Sequence, residues 1–175
     1  MLMNPGLFHL PQAEIRNYGE EALTYGSLTM KGIDHLSERI VAYQPNIYGL
    51  DLGCGDGELI YHLEARDDSR WDGVEISAHR ISMQSRDVNI WQGDMLEEDF
   101  RPYSVLHADN LCLSEAVADK LEEKIIREFQ GLYITYRSPQ SMRFIRAAQR
   151  LETVVIETTW GPHPIHFYWV GGRAL

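Results

Sequence analysis

A glycine-rich segment, Asp51-Leu52-Gly53-Cys54-Gly55-Asp56-Gly57, constrains the fold of this 175-residue chain more than any other feature. The short apolar run from Tyr48 to Leu52 precedes the glycines, and Glu58 to Arg66 has the pattern of a helix. Glycines between a strand and a helix let the backbone turn sharply and approach a ligand closely. The segment therefore predicts a strand, a loop and a helix that hold a ligand at the start of the helix.

The rest of the chain alternates between strand and helix patterns. Further strands are predicted at Trp71–Glu75, Val88–Gln92, Ser104–Ala108 and Leu132–Tyr136, and helices at Ile33–Ala42, Ser77–Ser85, Ser114 to a stop at Gly131, and Ser141–Ala148. Two last strands, Thr153–Thr158 and Ile165–Val170, are separated only by Trp160 to Pro164. A parallel crossover needs a dozen or more residues, so this connection predicts an antiparallel hairpin. The chain is expected to form an α/β, doubly wound Rossmann-like sheet of about seven strands that ends in that hairpin.

Composition and charge exclude several classes of protein. A hydrophobic content of 44% indicates a globular domain, and no apolar run approaches the ~18 residues of a membrane span. The net charge of −10 argues against broad nucleic-acid binding, although Arg137 and the residues after it are locally basic. Two cysteines favour a reducing, intracellular compartment over a disulfide framework. His163 and His166 lack partners at ligand spacing, so no metal is expected.

Acidic residues at the ends of three successive strands narrow the choice of ligand. Asp51 stands where a carboxylate pairs with a cationic ligand and repels a pyrophosphate. Glu75 ends the second strand, close to the ~20-residue offset at which an acid takes ribose hydroxyls. Asp94 follows the third strand, where it can accept from an adenine amine, and Met95 is a wall for the ring. These positions predict S-adenosylmethionine, with its methionine carboxylate at the helix that begins at Glu58.

The order of these motifs resembles the catalytic core of the disruptor-of-telomeric-silencing family, the histone lysine methyltransferases that lack a SET domain. Gly73-Val74-Glu75, Gln92-Gly93-Asp94-Met95 and Asp109-Asn110-Leu111 are similar to the family's motifs. Tyr25-Gly26-Ser27-Leu28-Thr29 is similar to its loop over the methionine end. The resemblance implies a class I methyltransferase domain over residues 25–175, preceded by an extension of residues 1–24.

The resemblance also implies the site residues and the methyl acceptor. The implied cofactor-binding residues are Tyr25, Thr29, Asp51, Gly53, Gly55, Gly57, Glu58, Glu75, Asp94, Met95 and Asn110. Asn110 would orient a lysine amine, and the family's final hairpin implies a lysine channel of Trp160, Phe167 and Tyr168. An apolar channel favours a neutral amine by penalising its charged form. The expected partner is then a histone or nucleosome and the expected location the nucleus.

Two alternatives stay open at this point. The same core occurs in methyltransferases for small molecules or RNA, and the acidic bulk of the chain favours a small molecule over RNA. A cytoplasmic location would go with that substrate. A protein that binds S-adenosylmethionine without catalysis, as an interaction module, is the second alternative. No association with membranes and no sequence-specific nucleic-acid binding are expected under any of these hypotheses.

Overall fold

The computed structural model describes residues 11–18, 28–111 and 113–172. Over these residues one seven-stranded sheet has α-helices on both sides. The strands are β1 Tyr48–Leu52, β2 Arg70–Glu75, β3 Asn89–Gln92, β4 Val105–Ala108, β5 Gly131–Thr135, β6 Gln149–Thr158 and β7 Gly161–Val170. The α-helices are α1 Gln12–Tyr18, α2 Met30–Tyr43, α3 Glu58–Arg66, α4 Ala78–Ser82, α5 Glu115–Glu128 and α6 Met142–Ala147, with a short 3₁₀ helix at Met95–Glu97.

The strand order is β3-β2-β1-β4-β5-β7-β6. Strands β1 to β5 pair in parallel, whereas β7 is antiparallel to both β5 and β6. This arrangement confirms the predicted doubly wound sheet and its terminal hairpin. The order reverses between β1 and β4, and ligands of such sheets bind outside the carboxyl ends of the strands at that point.

Alternation along the strands produces two hydrophobic cores, one on each face of the sheet. Apolar residues of α2 and α3 pack with Val105, Ile134 and Phe167 on one face. Apolar residues of α5 and α6 pack on the other face of the sheet with Leu106, Tyr133 and Tyr168, which are the sequence neighbours of those three residues. Both faces are thereby covered, as a largely parallel sheet requires.

Hydroxyl side chains begin four of the helices. Thr29, Ser77, Ser114 and Ser141 each accept a hydrogen bond from a backbone N–H in the first turn of the helix that follows. These caps satisfy donors that a helix cannot pair internally. The three serines are the helix starts that the sequence predicts. Among the described residues, no helix has both the length and the apolar character needed to cross a membrane.

Two local predictions are wrong. Gly131 does not end α5 as a left-handed cap; it begins β5 with φ +147°, and an added Cβ would lie 2.3 Å from the Ser104 carbonyl oxygen. The hairpin strands are also longer than expected, because Pro162 and Pro164 lie inside β7. Proline is tolerated there because β5 pairs with β7 only from His166 onward, which leaves one side of the strand without a ladder.

Candidate functional site

A cavity of about 180 Å³ opens at the carboxyl ends of β1 and β4, where the strand order reverses. The glycine loop, the first turns of α2 and α3, and the residues that follow β4 and β5 form its walls. Its ionisable lining residues are Asp51, Cys54, Glu58, His62, His107, Asp109 and Tyr136. Three of these are carboxylic acids, and no Lys or Arg lines the cavity within the described ranges. The cavity therefore favours a ligand that carries positive charge or donates hydrogen bonds.

At Gly53 the glycine loop presents backbone, not a side chain, to this cavity. Gly53, Gly55 and Gly57 have φ values of +85°, +59° and +85°, a region that only glycine adopts freely. An added Cβ on Gly53 would meet nothing nearer than the Met95 Cε atom, at 4.0 Å. The loop thus leaves open space in front of Gly53, as a backbone that closely approaches a ligand requires.

Glu75 fixes the glycine loop to the end of β2. Its Oε1 accepts from the Gly55 N–H at 3.1 Å, and its Oε2 accepts from the Ser77 N–H at 2.9 Å. Burial raises the pKa of Glu75, while these hydrogen bonds and the Arg80 guanidinium at 3.8 Å oppose the rise. Each carboxylate oxygen can accept a second hydrogen bond, so loop support and a ribose contact are compatible at this residue.

Asp94 and Met95 lie beside the same loop, as the sequence predicts for an adenine pocket. Asp94 is exposed, and its Oδ1 accepts from the Leu96 N–H at 2.9 Å, which begins the 3₁₀ helix. Met95 is the side chain closest to the open face of Gly53. The structure therefore brings together Gly53, Glu75 and Met95, and keeps Asp94 at the solvent edge of this group.

A buried series of three side chains crosses the sheet at the floor of the cavity. Asp51 and His107 are register partners on β1 and β4, and Tyr136 follows the end of β5 on the same face. The Asp51 Oδ1 lies 2.8 Å from the His107 Nδ1, and the His107 Nε2 lies 2.8 Å from the Tyr136 hydroxyl. No sequence motif indicated His107 as a site residue. Its position in β4 opposite Asp51 was the available signal, but reading it requires the strand register.

Asp109 follows β4 and lines the cavity on the face that carries His107. Burial raises the pKa of Asp109 to about 6, helped by the Asp51 carboxylate and opposed by His107. A carboxyl group with a pKa near the working pH suits proton transfer. In the sequence Asp109 was recognised only as part of the Asp109-Asn110-Leu111 motif, and no role was predicted for it.

The Asn110 side chain is hydrogen-bonded to residues at the end of β5. Its Oδ1 accepts from the Thr135 hydroxyl at 3.0 Å and from the backbone N–H groups of Tyr136 and Arg137 at 3.1 and 2.9 Å. The residue is 3% exposed and does not line the cavity. Asn110 thus ties the end of β4 to the end of β5, and its predicted contact with cofactor or amine stays a prediction.

The structure does not bring the three aromatic residues of the expected lysine channel together. Phe167 and Tyr168 are neighbours in β7, so they point to opposite faces of the sheet. Phe167 packs in one core, 6.1 Å from the Tyr43 ring, whereas Tyr168 packs 5.1 Å from the Phe144 ring in the other. Trp160 lies at the hairpin turn and is 46% exposed. No channel between these three residues exists in this part of the chain.

Three predicted cofactor contacts remain, at Glu58, Thr29 and Tyr25. Glu58 lines the cavity at the start of α3, with its Oε2 at 3.6 Å from the His62 Nε2. Thr29 caps α2 and donates its hydroxyl to the Glu157 carbonyl at 3.3 Å, between the lining residues Leu28 and Met30. Tyr25 lies outside the described residues.

The described residues contain no group of three or more His, Cys, Asp or Glu side chains that would hold a metal ion. His163 and His166 point to different partners: the His163 Nε2 lies 3.0 Å from the Tyr136 carbonyl, and the His166 Nδ1 lies 2.9 Å from the Thr153 hydroxyl. Burial raises the pKa of the Cys54 thiol, which keeps it neutral beside the loop.

Comparison with known proteins identifies a family over more than half of the chain. The profile described as "Methionine biosynthesis protein MetW" matches residues 38–135. That range begins in α2 and ends with β5, so it includes the glycine loop, Glu75, His107 and Asp109. No curated protein matches the sequence. These findings give no support to the expected resemblance to the histone lysine methyltransferases.

Solved structures share the fold at low sequence identity. An RNA methyltransferase from Salinibacter ruber, in complex with S-adenosyl-L-homocysteine, is 16% identical with a TM-score of 0.58 over 79% of this chain and 92% of that chain. The magnesium protoporphyrin IX methyltransferase of Synechocystis PCC 6803, with bound S-adenosylhomocysteine, is 13% identical with a TM-score of 0.60 over 81% and 83%. The [4+2]-cyclase SpnF is 13% identical with a TM-score of 0.52 over 70% and 59%. The chain therefore has the class I methyltransferase fold.

Proposed function

We propose that this chain binds S-adenosylmethionine and methylates a small molecule. The chain belongs to the family of the methionine biosynthesis protein MetW and has the class I methyltransferase fold. One observation carries the proposal. The cavity at the switch point combines an open glycine-loop backbone with acidic side chains and lacks Lys and Arg among its described lining residues. A cationic cofactor fits this combination, and a dinucleotide pyrophosphate does not.

The chain's own residues divide the work of holding the cofactor. Glu75 supports the glycine loop and retains lone pairs for ribose hydroxyls. Asp94 and Met95 border the side of the loop that suits an adenine ring, and Asp51 and Glu58 place negative charge near a cationic methionine end. The bound cofactor would supply a methyl group already activated by its positive sulfur.

Asp109 is the group best placed to take a proton from the methyl acceptor. Because the methyl group arrives activated, the protein contributes mainly position and electrostatics. An attacking O–H or N–H must lose its proton as the new bond forms. Asp109, with a pKa of about 6, is largely ionised at neutral pH and can accept it.

A small-molecule acceptor agrees with the structure better than a protein lysine. Phe167 and Tyr168 are core residues on opposite faces, so the hairpin offers no lysine channel. The solved structures with this fold include enzymes named for RNA and for a porphyrin as substrates. The net charge of −10 disfavours RNA. With a small-molecule substrate in place of chromatin, a cytoplasmic location replaces the nuclear one in the proposal.

The test is methyl transfer from isotopically labelled S-adenosylmethionine to three acceptor pools. A deproteinised metabolite extract, total RNA and core histones with nucleosomes would be incubated separately with the full chain. The proposal expects label in the metabolite pool that depends on Asp109 and is lost in Asp109→Asn. Label in histones or RNA alone would overturn the small-molecule acceptor, and label in none of the pools would overturn methyl transfer.

A further inference from the structure

The contacts of Asp51, His107 and Tyr136 indicate which side chain donates in the hydrogen bond between His107 and Tyr136. A carboxylate accepts hydrogen bonds, so the His107 nitrogen that faces Asp51, Nδ1, carries the hydrogen at their 2.8 Å contact. In the neutral imidazole the other nitrogen, Nε2, is then an acceptor. Its 2.8 Å contact with Tyr136 is satisfied by the phenol O–H. Burial and the carboxylates of Asp109 and Asp51 raise the pKa of Tyr136, so the phenol keeps this proton.

The phenol oxygen therefore presents only lone pairs to the cavity. Tyr136 lines the cavity, and its single hydroxyl hydrogen is committed to His107. Asp51, Glu58 and Asp109, the carboxylic acids of the lining, accept hydrogen bonds when ionised. His62 is the remaining ionisable group, and its Nε2 lies 3.6 Å from Glu58. Among the polar side chains of the described lining, acceptors therefore outnumber donors.

We propose that Tyr136, oriented by His107 and Asp51, positions the methyl acceptor by accepting a hydrogen bond from it, and that this acceptor is a small amine. The inference rests on the proposed function, because it names the substrate of the same site. A hydroxyl brings one hydrogen to the cavity, whereas an amine has hydrogens for both Tyr136 and Asp109. A carboxylate or phosphate would meet three acids and no described cationic partner. His107 and Asp51 are positioning residues in this account, since they act through Tyr136.

The first test needs no cofactor. The full chain, labelled with ¹⁵N at its seven histidines, would be examined by long-range ¹H–¹⁵N NMR at pH 7.5. The His107 signals are identified by their loss in His107→Gln. The proposal expects hydrogen on Nδ1 and an unprotonated, hydrogen-bonded Nε2. Hydrogen on Nε2, in either the other tautomer or the imidazolium, would overturn it, because Tyr136 would then accept from His107.

The second test measures recognition of an amine with three probes of similar size: ethanolamine, ethylene glycol and glycolate. Ethanolamine is expected to shift the His107 Nε2 signal saturably, and Tyr136→Phe should weaken that binding at least about tenfold. Tyr133→Phe is the matched control, because Tyr133 is also a buried tyrosine but packs in the core on the opposite face of the sheet and does not line the cavity. That variant should bind ethanolamine like the wild type.

The opposite outcomes are specific to this inference. Equal or tighter binding of glycolate would contradict an amine site, and unchanged ethanolamine binding in Tyr136→Phe would remove Tyr136 from it. Both experiments use the protein without cofactor, so they are independent of whether S-adenosylmethionine binds. S-adenosylhomocysteine affinity, measured separately, should stay within about twofold in Tyr136→Phe. If the wild type does not bind S-adenosylhomocysteine, that result counts against the proposed function instead.

Discussion

Two aspartates at opposite ends of the strands, Asp72 buried and Asp109 half-buried, have opposite surroundings. Asp72, in β2 near the amino ends of the strands, accepts from the Tyr48 hydroxyl, the Tyr103 hydroxyl and the Asn89 amide, each at 2.8 Å. Asp109, at the carboxyl end of β4, lines an open cavity, and burial raises its pKa to about 6. One carboxylate is nearly saturated with protein donors, and the other faces space where a ligand can enter.

The comparison separates stability from function in one fold. A buried carboxylate that is fully hydrogen-bonded supports the structure, because three donors depend on it. A buried carboxylate that faces a cavity is costly for the fold, and its perturbed pKa suits chemistry. We expect substitutions at Asp72 to lower stability with little effect on ligands. Substitutions at Asp109 should impair the reaction and, at neutral pH, relieve the cost of an ionised carboxylate that is partly withdrawn from solvent.

The largest effect is expected on the rate of methyl transfer in Asp109→Asn. Removing the proton acceptor should lower the rate about 100-fold to 10,000-fold. In the wild type the rate should rise with pH around the Asp109 pKa of about 6 and level off above it. Initial rates from pH 5 to 8 measure both quantities. Asp99→Asn, at an exposed carboxylate paired with Arg101, is the control and should match the wild type. A wild-type rate and pH profile in Asp109→Asn would exclude this role.

Asp72→Ala should have the next largest effect, on the free energy of unfolding. It leaves the half-buried hydroxyls of Tyr48 and Tyr103 without their acceptor, and each unsatisfied buried group costs about 1–3 kcal/mol, whereas the exposed Asn89 amide can turn to water. A loss of about 3 kcal/mol or more is expected in urea denaturation. S-adenosylhomocysteine affinity of the folded protein should change less than about twofold. If affinity falls and stability does not, the division between the two aspartates is wrong.

The stability of the protein should also depend on pH through Asp109. Its pKa is about 6 in the folded chain and 3.8 as the ordinary value, so folding favours the protonated form. The resulting stabilisation is fully present below about pH 4 and is lost as pH rises through 6. Asp109→Asn removes this loss, so its stability relative to the wild type should improve by about 2–3 kcal/mol between pH 4 and 7.5. If the difference in unfolding free energy between Asp109→Asn and the wild type does not change with pH, Asp109 is in a solvated environment.

The smallest effect is expected for Tyr48→Phe, which removes one of the three donors to Asp72. The loss in unfolding free energy should be about 1 kcal/mol, because Asp72 keeps Tyr103 and Asn89 and the ring keeps its contact with Arg70. Thermal denaturation of Tyr48→Phe and Tyr103→Phe side by side measures it. A loss as large as that of Asp72→Ala would mean that the donors do not share the carboxylate.

Local pattern predicted most of the fold. The limits of β1 and α3 agree with the sequence, because an apolar run, three glycines and an amphipathic segment define them without distant contacts. The hairpin was also expected, since the link between its strands is too short for a crossover. The role of Gly131 was not predicted, because glycine is needed there to avoid a clash between a Cβ and the Ser104 carbonyl, and Ser104 is distant in sequence.

The part of the site that was predicted lies at the ends of the first three strands. The glycine loop, Glu75 and Met95 lie together as expected, since each is at the carboxyl end of a strand whose neighbour is fixed by the βαβ order. His107 could not be found this way, because its pairing with Asp51 depends on which strand lies beside β1. The channel hypothesis failed for a related reason: Phe167 and Tyr168 are adjacent in sequence but alternate across the sheet.

Calorimetric titration of the full chain with S-adenosylhomocysteine tests the central claim most directly. Wild-type protein should bind one equivalent saturably, and Glu75→Gln should bind at least about tenfold more weakly, because Glu75 supports the glycine loop and is the proposed acceptor for the ribose hydroxyls. Glu64→Gln, at a glutamate of α3 outside the cavity lining, should bind like the wild type. Absence of binding to the folded wild type, or equal binding by all three proteins, would contradict a cofactor site at the glycine loop.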